Sequence, residues 1–228
     1  MEERIELKKI MYLLSIGLMI TLLGCGATSA STPTASTNPA PTAKSAPTPA
    51  PIPVRQVAGV ATDLGTGSFL GGKDVPVGLY DVSPSDGSGN FTVTSSGGDL
   101  RANEVLGDVA SLGVSKVRVN ILAGDKISLQ GINKVHFQPV TTPFVVKVQT
   151  VSMYSGSWVV GEDIAAGRYA ATPTSGSGNF VVNDKDGAPA VNEILGGDMG
   201  VKNVTVDLTD GEIINIGGIR QVNLTPAK

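Results

Sequence analysis

Val117-Arg118-Val119-Asn120-Ile121-Leu122-Ala123-Gly124-Asp125-Lys126-Ile127-Ser128-Leu129 is the stretch from which the fold is read. Val117, Val119 and Ile121 alternate with Arg118 and Asn120, a period of two that puts one set of side chains on a buried sheet face. Ala123-Gly124-Asp125 has the composition of a tight hairpin loop, so Lys126 to Leu129 reads as the antiparallel return strand. The same pattern comes back in Val204, Val206 and Leu208, the turn Thr209-Asp210-Gly211, and a return strand from Glu212 to Ile216.

Working outward, Val135 and Phe137, matched by Val222 and Leu224, predict a last strand that ends at Pro139 or Pro226. Phe144, Val146 and Val148 alternate with Val145, Lys147 and Gln149 and predict another strand. A short helical turn is expected near Ala102 to Leu106 and again near Val191 to Leu195. About six or seven short strands per unit, with frequent turns, predict an all-β fold, either an antiparallel β-sandwich or a jelly-roll-like barrel. The 29 glycines and the 16% charged residues agree, because they suit many turns between strands better than long solvated helices.

The chain repeats itself at an offset of 89 residues. Gly87-Ser88-Gly89-Asn90-Phe91 recurs unchanged as Gly176-Ser177-Gly178-Asn179-Phe180, and Asn103-Glu104-Val105-Leu106-Gly107 returns as Asn192-Glu193-Ile194-Leu195-Gly196. Gly72, Asp74, Gly78 and Tyr80 answer Gly161, Asp163, Gly167 and Tyr169. After a two-residue deletion the register continues at an offset of 87, where Val117 and Val119 face Val204 and Val206. Two tandem homologous domains are therefore expected, at residues 55–142 and 143–228.

Residues 1–25 have a different composition. Arg4, Lys8 and Lys9 precede an apolar run of 14 residues from Ile10 to Leu23, and the run closes as Leu22-Leu23-Gly24-Cys25 with the only cysteine of the chain. About 20 apolar residues are needed to span a bilayer as a helix, so the run reads as a cleaved leader. This stretch resembles a bacterial lipoprotein precursor of the lipobox type. The resemblance implies a signal peptide at 1–24, cutting before Cys25 by the lipoprotein processing machinery, and a diacylglyceryl group, with palmitate-type acylation, on the Cys25 thiol. Two acyl chains hold a protein on a membrane far better than one, since each buried methylene contributes roughly 0.8 kcal/mol. The expected address is the extracytoplasmic face of a bacterial membrane.

From Cys25 to residue 54 the chain is mostly Ala, Ser, Thr and Pro, with seven prolines and Lys44 as its one charge. Such a segment cannot build a core and reads as a disordered linker. In a polyproline conformation it would reach up to roughly 90 Å from the bilayer. Further on, Val160-Gly161-Glu162-Asp163-Ile164-Ala165-Ala166-Gly167-Arg168-Tyr169 resembles an uncharacterised repeat of secreted and lipid-anchored bacterial proteins, a resemblance that extends to both units and implies no activity.

Composition narrows the function. The net charge of −3 offers no basic footprint, which argues against nucleic-acid binding. With Cys25 acylated no thiol remains for disulfides, thiolate metal sites or nucleophilic catalysis. His136, the sole histidine, has Asn223 as its counterpart, so a Ser-His-Asp arrangement could serve one copy at most. A glycosidase would need two carboxylates at a defined separation, and Glu104 with Asp74 is the pair to test.

The remaining candidates are oxygen ligands and aromatic rings. Oxygen ligands shared by the two copies, Asp74, Asn103, Glu104, Asp163, Asn192 and Glu193, could hold calcium if they converged, although no segment carries a dense Asp-x-Asp loop. Trp158, Tyr154 and Phe144 could form a stacking surface for sugars. The expected function is a membrane-anchored lipoprotein with a non-catalytic binding or structural role and no cofactor, its partner being an envelope glycan or protein. A cell-wall-active hydrolase and a calcium-dependent adhesion protein are the alternatives.

Overall fold

A computed structural model describes residues 55–107 and 113–228; the leader, Cys25 and the linker up to residue 54 lie outside the described residues. The described residues belong to one compact unit. All regular elements among them are strands: β1 Thr62–Leu64, β2 Gly67–Leu70, β3 Gly78–Thr94, β4 Leu100–Leu106, β5 Val117–Ile121, β6 Lys126–Pro139, β7 Val151–Met153, β8 Gly156–Val159, β9 Gly167–Asn183, β10 Pro189–Leu195, β11 Val204–Leu208 and β12 Ile213–Pro226.

Pairing divides these strands into an N-terminal set, β1 to β6, and a C-terminal set, β7 to β12, with one bridge between them. In the N-terminal set the first part of β3 pairs with β5 and with the last part of β6, which also carries β1. The second part of β3 pairs with β4 and with the first part of β6, which also carries β2. Each long strand thus serves two antiparallel quartets, and the apolar faces enclose a cluster that includes Tyr80, Phe91, Phe137, Ile127 and Leu129. The C-terminal set pairs in the same way about Tyr169, Phe180, Ile214 and Leu224. The result is a sandwich-like all-β architecture.

The recurring Gly-Ser-Gly-Asn-Phe segment is the corner of these long strands. Register slips there in β3 and in β9, as β-bulges allow. Gly87 and Gly176 have φ of 76° and 84°, in the left-handed region that favours glycine. Gly89 and Gly178 lie so close to the facing strand that a Cβ would collide with the Gln130 and Gly217 carbonyls. The phenylalanines that follow are fully buried.

Three local expectations differ from the structure. The short helical turns near 102–106 and 191–195 are strands β4 and β10 instead, since both pair along their length with the second parts of β3 and β9. No strand forms over Phe144, Val146 and Val148, and the two valines are 46% and 54% exposed. The edge of β12 at Val222, Asn223 and Leu224 is taken by β7, and the alternating segment is held instead through its Val145 amide, which donates to the Glu162 carbonyl at 2.8 Å. Lastly, Lys126–Leu129 and Val135–Phe137 are one 14-residue strand, β6, because a bulge keeps pairing continuous through Gly131.

Candidate functional site

Arg118 is the residue on which the junction between the two strand sets is built. Alternation on β5 sends Val117, Val119 and Ile121 inward and Arg118 outward, yet Arg118 is only 5% exposed. The C-terminal set covers it. Its backbone amide donates to the Ser155 carbonyl at 2.9 Å, and Arg118 faces Gly156 in the one parallel bridge between β5 and β8. Nε and Nη2 donate to the two carboxylate oxygens of Asp81 at 3.0 and 3.3 Å, and Nη1 donates to Asp163 Oδ1 at 2.8 Å. Nη2 also donates to the Tyr154 hydroxyl at 3.2 Å, and the guanidinium carbon stands 3.9 Å from the centroid of the Trp158 ring.

Asp163 holds the other end. Its Oδ2 accepts from the Val159 amide at 2.8 Å, while Oδ1 accepts from Arg118 and from Arg55 Nη2 at 2.7 Å. Arg55 also donates through Nη1 to Glu162 at 2.8 Å and lies 5.0 Å over the Phe144 ring. Burial works against the Arg118 charge, but the Asp81 hydrogen bond, Tyr154 and the two carboxylates outweigh it and raise its pKa. Burial also pushes the Tyr154 phenol well above its usual range, so it stays protonated.

The sequence motif around Asp163 has a structural account. Asp74 Oδ2 accepts from the Leu70 amide at 2.8 Å, as Asp163 does from Val159. Tyr80 donates through its hydroxyl to the Pro76 carbonyl at 2.8 Å, and Tyr169 to the Ala165 carbonyl at 3.0 Å. The shared aspartate and tyrosine therefore brace one turn in each set.

The three aromatic candidates all lie at this junction, each against a cation of the chain itself. Trp158 is 4% exposed beneath Arg118 and packs edge-on against Tyr154, with ring centroids 4.8 Å apart. Lys116 Nζ stands 4.4 Å from the Tyr154 centroid, and Phe144 lies under Arg55. A sugar platform needs an open ring face, and the Trp158 face is occupied by the guanidinium.

The oxygen candidates are dispersed. Glu104 on β4 accepts from the Gly218 amide with both oxygens, at 2.9 and 3.2 Å, and burial raises its pKa while that amide lowers it. Glu193, Asn192 and Asn103 lie on strands β10 and β4. Among the described residues no group of three or more His, Cys, Asp or Glu is gathered as a metal site. His136 sits at the surface, with Nδ1 2.6 Å from Asp63 Oδ1.

Beside the Arg118 network a cleft of about 730 Å³ opens between the two strand sets and the segment that enters the fold at Arg55. Val57, Leu79, Val140, Phe144, Val159 and Ile213 are the large apolar residues of its wall. A smaller, more polar groove of about 220 Å³ is lined by Asn103, Glu104, Asn179 and Asn215. Sequence reading found Asp163, Phe144, Tyr154 and Trp158 but missed Arg55, Asp81 and Arg118. A charged residue that breaks the repeat was the available signal, since Arg118 corresponds to Thr205 and Asp81 to Ala170. Comparison with protein families, with curated proteins and with solved structures finds no match to this chain.

Proposed function

We propose that the chain is a lipid-anchored extracytoplasmic binding protein in which two tandem homologous β units are held as one body at the end of a proline-rich tether. The observation that carries the address is Leu22-Leu23-Gly24-Cys25 at the close of a short apolar run. Acylated Cys25 ties the chain to the outer side of a bacterial membrane, with residues 25–54 as the spacer.

The duplication is supported by element lengths. β3 and β9 are 17 residues each, β6 and β12 are 14, and β4 and β10 are 7. Two linked units raise effective concentration on a partner only when both can engage together. The Arg118 network sets their spacing and favours a large envelope glycan or protein over two independent ligands. The role is binding rather than catalysis.

Two experiments test the reading. Palmitate-analogue labelling should mark the full chain and not Cys25→Ser, which should leave the membrane fraction; an unlabelled, cytosolic wild type overturns the address. Pull-down of envelope glycans and proteins with residues 52–228 should retain a partner better than residues 55–142 or 143–228 alone. Equal retention by one unit removes the two-unit argument.

A further inference from the structure

The geometry points to the junction cleft as a binding site for a neutral, mostly apolar small molecule, a function beyond the envelope binding proposed above and independent of it. Size comes first. About 730 Å³ lies within the range of pockets that enclose small organic ligands, roughly 300–1,000 Å³. The wall comes next, because Val57, Leu79, Val140, Phe144, Val159 and Ile213 come from five separate parts of the chain and converge on one space. Val57 remains 49% exposed and Leu79, Phe144, Val159 and Ile213 are half-buried, so the cleft presents apolar surface to solvent. A ligand in the cleft would remove that apolar surface from water.

Charge selects the ligand class. Arg55 is matched by Glu162 and Asp163, Arg118 by Asp163 and Asp81, and Lys116 rests on the Tyr154 ring. Of these groups Arg55, Glu162 and Asp163 line the cleft, and Arg55 pairs with both carboxylates, so each already has a counter-charge within the chain. A charged ligand would give up its hydration without a counter-ion to replace it. The carboxamides of Gln56 and Asn120, also at the cleft, make no side-chain hydrogen bond among the described residues. They can serve one or two neutral polar groups, such as a hydroxyl or carbonyl, on an otherwise apolar body.

The test uses residues 52–228, which keep every contact described above, with two probes that share one ring system. N-phenyl-1-naphthylamine is neutral, and 8-anilinonaphthalene-1-sulfonate adds a permanent negative charge. Titration should show saturable one-to-one binding of the neutral probe, with the sulfonate at least about tenfold weaker. Leu79→Trp and Val159→Trp, which fill the cleft from β3 and β8, should each weaken the neutral probe by at least about tenfold, while Met199→Trp, at a 96% exposed position, leaves it unchanged. Equal binding of both probes, non-saturable binding, or binding untouched by the two cleft variants overturns the inference. Thermal melts confirm that the variants fold, and if both fail to, the ratio of the two probes on the unsubstituted protein decides alone. Loss of the cleft ligand would leave envelope pull-down and acylation unaffected, so the two readings fail separately.

Discussion

Arg118→Met is the substitution that bears most directly on how the two strand sets are held together. Methionine keeps much of the volume but removes the donors that Asp81, Asp163 and Tyr154 receive. Breaking a buried ion pair by deleting one partner costs about 3–5 kcal/mol, because the carboxylate left behind is no longer compensated. Asp163, only 2% exposed, keeps Arg55, and Asp81 is 19% exposed, so the lower part of that range applies. Loss of the guanidinium from the Trp158 face adds up to about 2 kcal/mol when desolvated. A total of about 3–5 kcal/mol follows, a large share of the roughly 5–15 kcal/mol that holds a native protein. In urea, with a slope of about 2–3 kcal/mol/M, the midpoint should fall by about 1–2.5 M. Fluorescence of Trp158, the one tryptophan, reads the transition at the junction itself. Arg168→Gln is the control, since the Arg168–Asp207 pair is 2.8 Å long but 49% and 71% exposed and should contribute about 0.2–1 kcal/mol. If Arg118→Met costs no more than Arg168→Gln, the junction does not depend on the buried network and the reasoning is wrong.

Gly156→Ala should destabilise the protein well beyond Gly67→Ala, because at Gly156, with φ of 123°, a Cβ collides with the Arg118 backbone, whereas at Gly67 it meets only the Phe69 ring; urea midpoints of the two variants check the order. The Asp63–His136 pair should give a modest pH dependence. Asp63 chiefly raises the His136 pKa, so that contribution is complete below the unfolded histidine pKa near about 6.5 and fades as pH rises through the raised folded value. His136 in turn lowers the Asp63 pKa, so its contribution is complete above the unfolded aspartate pKa near about 3.9 and fades as pH falls through the lowered folded value. The difference in melting temperature between wild type and His136→Asn should therefore be largest between those limits and shrink above neutrality. Glu104→Gln should change stability at pH 7 by no more than about 1 kcal/mol, since the amide oxygen still accepts from Gly218 and a desolvated charge is removed. Glu104→Ala, which leaves that exposed amide to water, should cost about 0.5–1.5 kcal/mol, and thermal denaturation of both variants checks that Ala is the more costly change.

Much of the strand pattern was legible because it is local. Val117, Val119 and Ile121 alternate, Gly124 turns the chain, and β5 and the start of β6 lie where that alternation predicts. The corner glycines were visible as a repeated pentapeptide, although their reason, a backbone too close for a Cβ, was not. Strand existence over Ala102 to Leu106 was missed because Asn103 and Glu104 hide the period, and a strand over Phe144 to Val148 was expected because the period is present without an edge to satisfy it. Local pattern reports what a segment can bury, while pairing depends on which edges remain free.

The site was less legible for the same kind of reason. Chain order alone established the alternation, the turns, the internal offset of 89 and the isolated Cys25 at the end of an apolar run, all of which are properties of neighbouring residues. Folding alone decided that Arg118, outward on its own strand, would be buried by the other strand set, that Asp81 and Asp163 would meet it from 37 and 45 residues away, and that Arg55 would meet Asp163 from 108 residues away. Period two assigns a side chain to a face of its own sheet. What covers that face is set by how the two sets dock, and that depends on contacts between residues far apart in the chain.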